Sequence, residues 1–137
     1  MKEYDPYYTD ARSGELQKQS IQLARSVRAL GHRLRGCVWV DRKPVDQMCR
    51  AGTSIGANIR EARFSESNKD FLHKLKIAEK ELGELFYWLG VLSSEPRLID
   101  PEQADNLFER SMNVRNLLLS AILTMKRKIG ASACQNS

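Results

Sequence analysis

One apolar rhythm runs through the middle of the chain without missing a turn: Phe71, Leu75, Ala78, Leu82, Leu85, Leu89 and Leu92 succeed one another in steps of four and three. That spacing keeps them on one side of an α-helix, whereas a strand would scatter them over two faces. Ser67 stands at the cap position, with Asp70 three residues on as a variant of the capping box. Pro96 stops the helix at about Ser94.

Three further stretches obey the same period. Leu16, Ser20, Leu23, Val27, Leu30 and Leu34 predict a first helix that stops at Gly36. Val45, Met48, Gly52, Ile55, Ile59 and Ala62 predict a second, with Pro44 as its first helical residue. Asp100, Pro101 and Gln103 supply cap, first-turn proline and capping-box partner for a fourth, lined by Leu107, Ser111, Val114, Leu118, Ala121 and Met125 and ended at Gly130. The expected architecture is all-α: an antiparallel up-down four-helix bundle over 14–129, a flexible N-terminal arm at 1–13 and a frayed tail at 130–137. With 137 residues a single domain is expected.

Glycine inside a helix costs about 1 kcal/mol against alanine. Gly52 and Gly56, one turn apart, therefore predict a place where another backbone passes too close for a side chain. Ser54 and Asn58 are polar on this otherwise tight helix, and the favoured reading is a structural hydrogen bond that fixes register, with Glu84 or Glu61 as partner. Ile77, Phe86, Trp88 and Val91 on the third helix, and Leu117, Leu119, Ile122 and Leu123 on the fourth, fall off the main stripes. A helix apolar on more than one side needs a second partner, so these eight residues predict an oligomer interface.

The net charge of +5 is unevenly spread. Eleven basic residues face four acidic ones over 11–63, five face ten over 64–109, and five face none over 110–137. Lys18, Arg25, Arg28, His32 and Arg35 share an arc of roughly 120° on the first helix, opposite its apolar stripe. With Arg42, Lys43, Arg50, Arg60 and Arg63 on the second helix and Lys126, Arg127 and Lys128 closing the fourth, they are the candidates for contact with nucleic-acid phosphates. Trp39 is the one exposed aromatic candidate near this ridge, which favours reading of shape and backbone over sequence. The competing reading makes the charges a self-assembly or protein-docking surface, with the acidic 64–109 block as counterpart.

Signatures of catalysis are missing: there is no glycine-rich phosphate loop, HExxH or GxSxG, and GTSIGAN lies inside a helical period. His32 and His73 are the only histidines, and the Glu-x-x-His of di-iron bundles does not occur. No enzyme activity, metal or cofactor is expected. Cys37, Cys49 and Cys134, odd in number and without CxxC spacing, are read as reduced thiols. No apolar run approaches the roughly 18 residues of a membrane span, and the opening MKEYDPYYTD lacks a secretory layout, so a cytoplasmic protein is expected.

Gln47, Arg50, Thr53, Ser54, Ile55, Asn58, Ile59 and Glu61, followed by Lys69, Asp70, Phe71, Ala78 and Glu84, form a run that resembles the bacterial four-helix-bundle family of 23S ribosomal RNA intervening-sequence proteins. The chain departs from many members at Glu61-Ala62, where they read Glu-Gly, and at Lys80-Glu81, where they read Gly-Ser. The resemblance implies a ring, expected to be a homopentamer. It also implies kinship with the accessory variability determinant of diversity-generating retroelements, a basic ring that binds nucleic acid and a reverse transcriptase. The partners expected from it are further copies of the chain, RNA or DNA, and a reverse transcriptase.

Overall fold

The computed structural model describes residues 14–135, with side chains through 133. The predicted arm at 1–13, the side chain of Cys134 and the last two residues lie outside that range. Four helices follow in order: α1 (Gly14–Arg35), α2 (Arg42–Ala62), α3 (Asn68–Ser93) and α4 (Pro101–Gln135). Among the described residues there is no strand, and the short apolar run at 37–40 forms turns.

Local chemistry sets most of the boundaries. Ser67 is extended and its side chain accepts from the Asp70 amide at 3.0 Å, satisfying a donor that the first turn of α3 leaves free. Asp100 does the same for α4, its Oδ1 accepting from the Gln103 amide at 2.9 Å. Gln103 does not complete a capping box: its Oε1 instead accepts from Arg33 Nη2 at 2.7 Å, tying α4 to the end of α1. α2 starts at Arg42, two residues before the predicted Pro44. A proline in the first turn is tolerated because amides there have no helical acceptor to lose. α4 runs through the predicted stop at Gly130 to Gln135. A lone exposed glycine lowers helix stability without ending the helix, and a Cβ on this one would meet no neighbouring side chain within 4 Å.

α1 packs on α2 and α4, and α3 packs on the same two, so the four helices enclose one core. Leu23, Val27, Leu34, Met48, Ile55, Leu75, Leu85, Leu89 and Leu118 are among its fully buried large side chains. Each contributes on the order of 1.5–3 kcal/mol by leaving water. The six predicted core positions of α2 are all buried. On α4 the stripe steps from Leu118 by four to Ile122 and then to Met125, leaving Ala121 half-buried. Ile122 therefore belongs to the core of its own chain, at 4% exposure, and is removed from the predicted oligomer face.

The seam between α1 and α2 is keyed by missing side chains. A Cβ on Gly52 would stand 2.7 Å from Val27 Cγ1, and one on Gly56 would stand 3.3 Å from Ser20 Oγ. A Cβ on Gly31, which the periodicity did not single out, would run into Cys49 Sγ. Side chains of the neighbouring helix fill the gap at Gly52, whereas at Gly56 the backbone that the glycines predicted also passes close, Ser20 O standing 3.6 Å from the Cβ position.

Candidate nucleic-acid interface

α1 and α2 together hold most of the predicted basic residues, and the structure sorts them. Lys18, Arg25, Arg28 and His32 are exposed along α1, and Arg42 and Lys43 are exposed where α2 begins. Lys126, Arg127 and Lys128 are exposed near the end of α4. Arg35 is turned inward to its own chain: its Nη2 lies 2.9 Å from Asp46 Oδ1, and that hydrogen bond is the first cause of its raised pKa. Arg50 is likewise engaged, its Nη1 lying 3.2 Å from Glu81 Oε2 and its Nη2 bonded to Glu84. Arg63 donates to Gln17 Oε1 at 3.2 Å. A guanidinium held by a carboxylate offers less charge to an outside phosphate, so Arg35 and Arg50 are bundle fasteners first.

Arg25 and Arg28 meet Arg60 of α2 across an open groove of about 330 Å³. Its remaining lining is small or apolar, with Ile21 and Ala24 from α1 and Gly56 and Ala57 from α2, and it reaches Ser20 and Gln17 at the start of α1. Gln17 is 3% exposed, and its Nε2 finds no acceptor among the described residues. The groove exists because Gly56 and the two alanines leave the seam shallow there. A larger depression of about 840 Å³ between α1 and α4 carries both signs of charge, with Arg33, Arg110 and Glu109 among amides. The arginines at 25, 28 and 60 were legible as basic residues on two helices; Gln17, Ile21, Ala24 and Ala57 were not, since none carries a chemical signature alone.

The polar trio separates. Asn58 Nδ2 donates to Ser54 O at 2.8 Å and Ser54 Oγ to Arg50 O at 2.6 Å, both inside α2, so neither reaches Glu84 or Glu61. Glu61 instead pairs with Lys74 at 3.0 Å. Glu84 accepts from Arg50 and, at 3.4 Å, from Trp88 Nε1. The Arg50 hydrogen bond is the main reason that its carboxyl titrates below the usual carboxylate range.

Of the predicted interface residues besides Ile122, Val91 and Leu123 are 40% and 49% exposed. Ile77, Phe86, Trp88, Leu117 and Leu119 are half-buried. Phe86 stacks on Phe108 at 6.0 Å, which uses part of its apolar area within the chain. Trp39 is 55% exposed, and Arg97 sits over its ring at 4.7 Å, so one face already holds a cation. Among the described residues no group of three or more His, Cys, Asp or Glu could hold a metal ion, and no helix is long and apolar enough to cross a membrane.

No curated protein matches the chain. A crystal structure of a protein of unknown function from the S23 ribosomal protein family of Bacteroides thetaiotaomicron VPI-5482 superposes with a TM-score of 0.73 at 36% identity, covering 78% of this chain and 97% of that one. The four-helix fold and this likeness agree with a family match that spans residues 12–120: the chain belongs to the 23S rRNA-intervening sequence protein family.

Proposed function

We propose that this chain is a non-enzymatic, self-assembling helical bundle that holds structured RNA, or RNA with DNA, through phosphate contacts on its basic face. The observation that carries the reading is the convergence of Arg25, Arg28 and Arg60 on one groove. The 23S rRNA association in the family's name points the same way. In this reading the helices run alternately up and down. The links from Gln17 to Arg63 and from Arg35 to Asp46, each joining the start of one helix to the end of the other, support that order. Copies close into a ring of five, as the family resemblance implies, with Val91 and Leu123 at the contact. An accessory role beside a reverse transcriptase rests on the same resemblance, and a cytoplasmic location follows from an RNA partner of this kind.

A filter-binding titration against a structured RNA tests the reading. Affinity should fall steeply as salt rises, because each phosphate contact releases counterions. No retention at low salt overturns it. Sedimentation at micromolar concentration tests the assembly, and a lone 15.6 kDa species would end that part. A second reading, a protein-docking scaffold, is favoured by the apolar residues Val38, Trp39 and Val91, all exposed. Capture of a specific protein that survives nuclease treatment, with no RNA retained, would establish it instead.

A further inference from the structure

We infer that the α1–α2 groove is a pocket for one unpaired nucleotide, with the base on Ile21, Ala24 and Ala57 and its phosphate at Arg28. This deepens the RNA-binding reading and rests on it. A surface that only gathers phosphates needs exposed cations and nothing else. Here the arginines surround an apolar floor, and the void of about 330 Å³ lies at the lower end of the ~300–1,000 Å³ common for small-molecule sites. A double helix presents its bases edge-on inside the stack and cannot offer a flat face to such a floor, whereas a loop or bulge can splay one out.

Gln17 adds a polar group at the end of the groove, where it also borders the depression beside Leu16 and Phe71. It lines the groove, it is 97% withdrawn from solvent, and its Nε2 has no acceptor among the described residues while its Oε1 is fixed by Arg63. A buried amide donor left unmatched keeps the full penalty of losing its water, so such groups are rare unless something else satisfies them. A base carbonyl or ring nitrogen is an acceptor of the required kind, which the Gln17 amide would meet by turning from its sealed position toward the groove. Arg28 is exposed and makes no ion pair among the described residues, which leaves its guanidinium available to the phosphate.

The test compares two labelled RNAs with equal numbers of phosphates, a hairpin with an unpaired loop and a blunt duplex, in fluorescence anisotropy with the full-length protein. Wild type should bind the hairpin about tenfold more tightly. Ala57→Leu, at an exposed position, fills the floor without touching the core and should bring hairpin binding down to duplex level. Photocrosslinking of unaltered protein to a hairpin carrying 4-thiouridine in its loop should label residues 21–28 and 53–60. Equal binding of both RNAs by wild type, a loop preference that persists in Ala57→Leu, or crosslinks elsewhere would overturn the pocket and leave the RNA-binding reading standing. Binding of neither RNA would remove both, and occupation of the groove by a protein side chain, seen as crosslinks to a captured polypeptide instead, would also overturn it.

Discussion

Replacing Gly52 by alanine sets two effects of known sign against each other. Alanine in a helix interior gains about 1 kcal/mol over glycine. Its Cβ, however, would lie 2.7 Å from Val27 Cγ1 and 3.0 Å from two further Val27 atoms. Val27 is fully buried and, being β-branched on a helix, has one strongly preferred rotamer, so it cannot swing aside. Forcing a methyl into such a place costs about 1–3 kcal/mol by itself. The clash involves three atoms of a stiff side chain, so the upper half of that range applies, and Gly52→Ala should lose about 1–2 kcal/mol net. Gly83 on α3 is the control: a Cβ there meets nothing within 4 Å, so Gly83→Ala should gain up to about 1 kcal/mol. Urea titrations followed by helical circular dichroism at one protein concentration should separate the two midpoints by roughly 1 M, at a slope near 2 kcal/mol/M. In the double variant Val27→Ala/Gly52→Ala the losses should not add, with a coupling of about 1–3 kcal/mol. If Gly52→Ala proves as stable as Gly83→Ala, or the double variant is additive, the keyed seam is wrong.

Arg50→Ala should weaken the bundle above the carboxylate range and matter less in acid. The Glu84 pKa is lowered in the folded state, so its pairing stabilises when the carboxylate is ionised and is lost as pH falls through that lowered value. Denaturation midpoints of wild type and Arg50→Ala should therefore converge on acidification, and a constant gap would count against the pairing. Ser67→Ala removes the acceptor for the Asp70 amide and should cost about 1 kcal/mol, with Ser67→Gly milder, as read from thermal midpoints. Arg28→Ala should reduce the slope of log affinity against log salt by roughly 1 on duplex RNA, and an unchanged slope would place the phosphate contacts elsewhere.

The third helix was legible almost to the residue because every level of its sequence agrees: cap, period and stop all point to one helix. Gly52 was legible as a close approach, yet its partner was not, since periodicity fixes which face of α2 turns inward and says nothing of which turn of α1 lies against it. Gly31 was missed for the same reason: its meaning comes from Cys49 eighteen residues on. Ile122 was misjudged because a helix stripe can step by three or by four at any turn, and from Leu118 it takes four. Arg50 read as a phosphate ligand while its carboxylates sat on another helix, where charge spacing along one chain segment cannot find them. The groove escaped notice because it is made of what is absent, two alanines and a glycine, beside arginines that did stand out.

Because α1 and α2 interlock through steric gaps at Gly31, Gly52 and Gly56, the distance between their arginines is governed by shape and owes little to charge. The exposed Arg35–Asp46 pair that also spans the two helices contributes at most a small part. In the proposed RNA complex, ionic strength should therefore strip the anionic guest from the cleft without prising its walls apart. Whatever salt does to the complex is a property of the departing partner and its ion cloud, and the protein left behind keeps the same spacing for the next encounter.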